Sequence, residues 1–325
     1  MRALSLDQLE ALSDELDGDV MRTPAIDRFC SSAAWVIPAA RALMPARASW
    51  IHRGDAGWVA AMRGHHASGI AYLEPLELAW GMACPLIGPD PVALAEEVAG
   101  LVAARRDWNV MLVPGLAPDG VMLPALLRAL PPRLERRFGQ STVRHVASLD
   151  GGVDGFLGRR SRNFRKAMRA SQRDAAAAGI TFEHARVADA AGAAALYQRI
   201  LAVEVRSWKG RDGVGIHQGP MNQFYGAMLP RLAAHGRQRT VFARHRDRDV
   251  AYCLGAVFDG EYRGLQFSFD ADYARFSLGG LCQLTQIAEL AEEGTRRYDL
   301  GQEMEYKRRW AEDVFETAML VLVNR

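Results

Sequence analysis

Three strand-like runs stand almost back to back between Arg239 and Asp270, and they leave this chain little choice of fold. They read RTVFARHR, VAYCLGAVF and YRGLQFSFD. Asp247-Arg248-Asp249 breaks the first pair, and Asp259-Gly260-Glu261 breaks the second with the Asp-Gly of a tight hairpin. The next segment is not another hairpin. Leu281, Leu284, Ile287, Ala288 and Ala291 recur at three- and four-residue steps, which predicts an amphipathic helix from about Gly279 to Glu293 with Gly294 as its stop. Short strands are expected at Arg297–Leu300 and at Phe315–Val323, the latter closing the domain. A helix set between strands of one layer makes a crossover, so the class is α/β.

Upstream of the meander, Ser161–Ala178 reads as an Arg- and Ala-rich helix and Ile180–Val187 as an alternating strand. Asp189–Val205 and Gly219–His235 read as two further helices. The order over this half is therefore β-α-α-β-β-β-α-β-(α)-β. The first half is alanine-rich and less legible. A short amphipathic helix is expected at residues 6–16, strands at Trp58–Met62 and Gly69–Leu73, and a helix at Pro91–Arg105 capped by Asp90. Asn109–Val113 reads as a buried strand ended by Pro114-Gly115. Pairs of Pro at 131–132 and Gly at 151–152 bracket a connection, which places a boundary near 150 and gives domains of 1–150 and 151–325. A length of 325 residues suits two such domains.

A net charge of +2 gives no global field that would recruit DNA. No run of 18 apolar residues is present, so no membrane span is expected. Residues 1–19 are acidic and lack a long apolar core, so a signal peptide is not expected either. Cys30, Cys84, Cys253 and Cys282 lack CxxC spacing and read as buried reduced thiols of a cytoplasmic protein. His65-His66 lacks partner spacing, and no metal site is expected.

The chemistry concentrates in LQFSFDADYARFSLGGLCQLTQIAELAEEG. A strand ends at Asp270, a polar loop comes next, and Ser-Leu-Gly-Gly opens the helix. Helix starts leave backbone N–H groups unpaired and favour an anion. Side chains are absent at Gly279 and Gly280, so a pyrophosphate could approach the backbone there, with Arg275 adding a charged contact.

Three spaced motifs then carry a family resemblance over roughly residues 155–312. They are Glu204-Val-Arg-Ser-Trp-Lys-Gly210, Phe269-Asp270-x-x-Tyr273-Ala-Arg-x-Ser-x-Gly279, and Tyr298-Asp-Leu-Gly-x-Glu303-x-x-Tyr306-Lys-x-x-Trp310. The chain resembles the CelD-like acyltransferases, GNAT-superfamily proteins that accompany cellulose and exopolysaccharide biosynthesis. Leu278 departs from the pattern, where the family more often has Pro. The resemblance implies a complete GNAT acyltransferase fold in the second half. It also implies a degenerate GNAT-like copy in the first half, similar to the tandem arrangement of FemX-like transferases. The implied reaction moves an acyl group from acyl-CoA, as co-substrate, to an amine by direct attack. The amine is open: an amino sugar, a peptide or a polyamine. An aminoacyl-tRNA-dependent FemX-like transferase and a non-catalytic exopolysaccharide subunit are the alternatives.

On that reading Gln266, Phe267, Ser268, Arg275, Phe276, Ser277, Gly279, Gly280 and Leu281 are expected along the donor. An amine near pKa 10.4 must lose a proton before it attacks, which calls for a base. Asp270, Glu204 and Glu303 are the candidates, Asp270 foremost, and each is equally readable as a surface or salt-bridge carboxylate. Tyr273 and Tyr306 are candidate acids for the departing thiolate or simple packing aromatics. Trp208, Lys209 and Lys307 are candidate acceptor contacts, and Trp310 a pocket wall or core residue. His217, in a Gly-rich loop, reads as solvated. Arg159, Arg160, Arg162, Arg165, Lys166, Arg169 and Arg173 form one dense basic cluster. It is readable as a solvated face, as steering for an anionic donor, or as an RNA contact.

Overall fold

The apolar strands and helices of the chain pack into two compact units. The computed structural model describes residues 1–324. One unit is Met1–Val143 together with the chain from Glu316 onward, and the other is Arg144–Phe315.

The first unit begins with β1 (Arg2–Leu4) and a helical block, α1 (Leu6–Ala11), α2 (Ser13–Arg22), α3 (Arg28–Ser31) and α4 (Ala33–Leu43). The expected helix at 6–16 is thus two, broken at Leu12. Next come β2 (Ala48–Arg53), β3 (Trp58–His65), β4 (Ala71–Pro75), β5 (Leu86–Ile87), α5 (Pro91–Ala103), β6 (Val110–Leu116), α6 (Met122–Ala129) and β7 (Glu135–Phe138). The sheet order is β1-β2-β3-β4-β6, and β4 and β6 run parallel over only Tyr72↔Val110 and Leu73↔Met111. Beyond that point they part, and the chain's own residues 82–87 enter. β5 takes over the edge of β3, and the Cys84 backbone lies against Gly115, where a Cβ would meet Cys84 N at 2.9 Å. Gly115 therefore adopts φ +73° inside β6, and Pro114-Gly115 does not end the strand as the sequence suggested.

The second unit opens on the end of β8 (Thr142–Ser148) and continues through α7 (Gly152–Gly158), α8 (Arg162–Ala177), β9 (Ile180–Ala185), α9 (Ala190–Arg206), α10 (Trp208–Arg211) and α11 (Gly219–Ala234). The meander is β10 (Gln238–His245), β11 (Arg248–Phe258) and β12 (Glu261–Phe269). A 3-10 turn at Ala271–Phe276 leads to α12 (Leu278–Glu292), then β13 (Arg297–Gln302) and a second 3-10 turn at Glu305–Arg309. The order is β9-β10-β11-β12-β13-β8, antiparallel except for β12 beside β13. One face carries α12, with Leu281 and Cys282 packed on Val241, Ala251 and Cys253. The paired residues Phe242 and Tyr252 turn to the opposite side, toward α9 and α11.

The last strand, β14 (Asp313–Val323), was expected to close the second domain. From Glu316 it joins the first unit instead, antiparallel to β6 and β7, because its buried positions Leu320 and Leu322 complete that unit's core. Each unit thus shows the same connectivity: a meander, a helical crossover to a parallel strand, and a closing antiparallel strand supplied by the other half of the chain.

Candidate active site

The parallel pair in the second unit is short. β12 and β13 are in register at Glu261↔Arg297, Tyr262↔Tyr298 and Arg263↔Asp299, and then separate. Gly264–Phe269 are left with a backbone edge facing no partner strand on the β13 side. Among the described residues, no segment enters this gap as residues 82–87 do in the first unit. α12 begins at the head of the gap. Ser277 adopts a left-handed φ of +54°, and its carbonyl accepts from Gly280 N at 3.0 Å and Leu281 N at 3.2 Å. Among the described residues no side chain caps this helix, so its first donors have no side-chain acceptor. In the first unit, by contrast, Asp90 Oδ1 takes Val92 N at 2.9 Å and Ala93 N at 3.1 Å, and the start of α5 already holds its own carboxylate.

The two glycines have a different reason from the one the sequence suggested. A Cβ on Gly279 would stand 2.7 Å from the Phe267 ring, and one on Gly280 would crowd Trp310 at 3.3 Å and Met168 at 3.5 Å. They bring α12 onto β12 and α8. Phe276 and Leu281 are buried, so only their backbone can meet a ligand, whereas Ser277 and Arg275 are exposed, Arg275 lying over the Phe276 ring.

On the α9 side of the sheet, a buried polar group converges. Glu204 is fully buried at the end of α9; Oε2 accepts from Tyr252 Oη at 2.9 Å and Oε1 from Ile216 N at 3.3 Å. Burial, and Glu204 after it, push the Tyr252 phenol well up. Lys209 Nζ donates to Gln266 Oε1 at 3.0 Å and to the Phe267 carbonyl at 2.8 Å, and Gln266 Nε2 donates to Tyr225 Oη at 3.0 Å. Ser268, only 2% exposed, has a hydroxyl with no hydrogen-bond partner in the structure. His217 also comes in, against its reading as a solvated residue. Its buried Nδ1 has no partner, and it lies 2.7 Å from where a Gly215 Cβ would stand, with Glu204 Oε1 at 3.0 Å from the same point. Tyr252 and Tyr225 carried no local signal in the sequence, whereas Ser207, whose Oγ donates to the Glu204 carbonyl at 2.7 Å, stands in the first motif.

Asp270 does not sit as a free base. It is buried, pairs with Arg206 at 2.9 Å and Arg248 at 3.2 Å, and accepts from Asp272 N at 3.1 Å to cap the 3-10 turn. Tyr273 joins His245 Nδ1 at 2.7 Å, at the same turn. Glu303 is exposed and ion-paired with Arg308, which holds its carboxyl below the ordinary value. Tyr306 stacks edge-on to Phe267 at 5.6 Å, and burial pushes its phenol up, which makes it a poor proton donor. Lys307 Nζ donates to the Gln302 carbonyl at 2.6 Å, and burial lowers its ammonium to about 8. Burial also lowers Lys209. Trp310 is core, packed on Phe156 and Phe164, while Trp208 is 52% exposed beside Lys209. The three-motif set therefore divides. Glu204, Lys209, Gln266 and Ser268 gather under the gap, Tyr306 and Lys307 border it, and Asp270, Tyr273 and Glu303 serve neighbouring turns.

Residues 162–308 match the Acetyltransferase (GNAT) domain family. No curated protein matches the sequence. A conserved protein of unknown function from Bacteroides thetaiotaomicron superposes with a TM-score of 0.65 at 13% identity, over 99% of this chain and 98% of that one. FemX gives 0.65 at 13% identity, over 98% and 96%. The C-terminal domain (DUF2156) of a candidate lysylphosphatidylglycerol synthetase from Agrobacterium fabrum gives 0.58 at 15%, over 95% and 92%. At these identities the likeness is one of fold, a mixed α/β architecture.

The second unit has its own charge pattern. Arg162, Lys166, Arg169 and Arg173 repeat at four- and three-residue steps along α8, so they form one exposed stripe, and none has an acidic partner among the described residues. α8 packs against α12 through Met168, which lies over Gly280, so the stripe borders the uncapped helix start. Arg159 and Arg160 differ: both pair with Glu312. Burial pushes the Cys253 thiol up to about 11 and the Cys84 thiol of the first unit up to about 12, and raises Cys282 well up, so none of these three cysteines is activated. Among the described residues no three His, Cys, Asp or Glu side chains gather as a metal site. Nor is any helix long and apolar enough to cross a membrane.

Proposed function

We propose that this protein transfers an acyl group from a thioester, acyl-CoA, to an amine by direct attack in a ternary complex. The carrying observation is the open backbone edge of β12 beyond Arg263, set beside the uncapped start of α12. A backbone edge without a partner strand suits the amides of an extended carrier arm, and the helix start suits its phosphates. The match of residues 162–308 to the GNAT acetyltransferase family supports the same reading. Inert cysteines favour direct attack over an acyl-enzyme.

Glu204 is our choice of base, in place of Asp270. Its partners are a hydroxyl and an amide, with an imidazole nearby, rather than two guanidiniums as at Asp270. Tyr252 and His217 give it a path by which a proton can leave. The motifs that resemble CelD-like proteins support an acceptor from exopolysaccharide synthesis, an amino sugar foremost. The test is thiol release from a panel of acyl-CoAs against amino sugars, peptides and polyamines. Release with at least one pair is expected; no release from any pair, with CoA failing to bind by calorimetry, overturns the proposal.

A second reading has one observation in its favour, the unpartnered stripe on α8, which also suits the backbone of an aminoacyl-tRNA. Affinity for tRNA that falls steeply with salt, together with absent CoA binding, would favour it.

A further inference from the structure

Two lysines border the gap between β12 and β13, and neither has an acid to neutralise it. Lys307 is buried and Lys209 half-buried, and neither has a carboxylate within ion-pair distance among the described residues. The acid that acts on Lys209 is Glu204, whose oxygens are taken by Tyr252 and Ile216 N. The acid that acts on Lys307 is Asp299, already shared by Arg144, Arg263 and the Gly301 amide. The positive charge of Lys209 also lowers the proton affinity of Lys307. They are linked through a short aromatic row: Lys209 over Phe267 at 5.6 Å, Phe267 against Tyr306 at 5.6 Å, and Lys307 over Tyr306 at 5.9 Å.

A lysine has three donors. Lys209 uses two of them and Lys307 one, both on amide or backbone oxygens. Three donors and two positive charges therefore remain, and the Ser268 hydroxyl is unpartnered nearby on β12. Two desolvated like charges oppose folding unless something compensates them. A transient oxyanion would do so only during reaction, whereas a carboxylate has a full charge and about four acceptor sites at all times.

We infer that the gap between β12 and β13 binds a substrate carboxylate through Lys209 and Lys307. This rests on the acyl-transfer reading, and the carboxylate can enter on either reactant: on a dicarboxylic acyl group, or on an amino acid-like acceptor. Phe267 and Tyr306 would line the apolar stem between the charged end and the reacting carbon.

Binding carries the test, so that it holds whether or not turnover is found. Calorimetry on the full chain compares succinyl-CoA with butyryl-CoA, and, with CoA present, lysine with 1,5-diaminopentane. At least tenfold tighter binding of the acidic member is expected in one arm, which also identifies the reactant that carries it. Lys209→Met and Lys307→Met should each erase that preference, while Lys307→Arg keeps it. Equal affinities in both arms of the wild-type protein, which need no variant to fold, overturn the inference. Thiol release measured in parallel reports separately on acyl transfer.

Discussion

Glu204 and Asp270 are both buried carboxylates, but they are held in different ways, and that separates their expected roles. Asp270 is neutralised by Arg206 and Arg248 and caps a turn, so Asp270→Asn should act on stability. Removing one partner of a buried pair costs about 3–5 kcal/mol; the arginines here are partly exposed, so a loss of about 1–2 kcal/mol is expected from urea unfolding. Glu204→Gln should instead lower turnover about a hundredfold, the scale of a lost general base, with acyl-CoA affinity unchanged by calorimetry. Near-normal turnover in Glu204→Gln would return the role to another group. Lys307 gives a prediction in pH. Its ammonium is near 8 in the folded protein and near 10.4 in an unfolded chain. Between those values the unfolded state binds more protons, so this residue makes stability rise with pH. Its cost is complete below pH 8 and gone by about 10.5. Lys307→Met should therefore be more stable than wild type at pH 7, by about 1–3 kcal/mol, with the gap closing toward pH 10.5. A variant less stable at both pH values would contradict this.

At the scale of elements, α8 and α12 act as a pair. Met168 seats one on the other, and the stripe Arg162, Lys166, Arg169, Arg173 then stands beside the helix start that should receive phosphates. The double change Arg162→Gln with Arg169→Gln should weaken acyl-CoA binding about tenfold at low salt. The difference should vanish near 1 M salt, where the Debye length is about 3 Å. A salt-independent loss would mean that the helix itself had been damaged. Gly280→Val is a poor probe of the same site, because Trp310 and Met168 would meet the new side chain first. These elements were legible in sequence because periodicity reports which face is buried: the meander, the crossover helix and the Arg-rich helix all lie within a few residues of their expected bounds. Partnership was not legible. Nothing in VAYCLGAVF separates Tyr252, which holds Glu204, from its core neighbours, and nothing near Asp270 announces arginines 64 and 22 residues away. Gly279 and Gly280 were found, but for a reason of packing that only the third dimension supplies.

For the whole molecule, the two units share a connectivity but not an open site. In the first unit, residues 82–87 fill the place where β4 and β6 part, Glu77 accepts from Trp80 N at 2.6 Å at the base of that segment, and Asp90 occupies the start of α5. Calorimetry should therefore find one acyl-CoA per chain; two would show that the first unit opens. The exchange of closing strands also means that the chain cannot be divided at a single peptide bond into two complete sheets. A fragment of residues 151–325 would lack the strand that covers β13 and carry one that belongs to β6. The same exchange governs birth as well as stability. About 200 residues separate the end of β6 from Glu316. At roughly 5–20 residues per second, the first unit waits on the order of 10–40 seconds during synthesis with one apolar sheet edge unsealed. For that interval it is an invitation to pair with the wrong strand, and the emergence of the strand from Glu316 onward withdraws it.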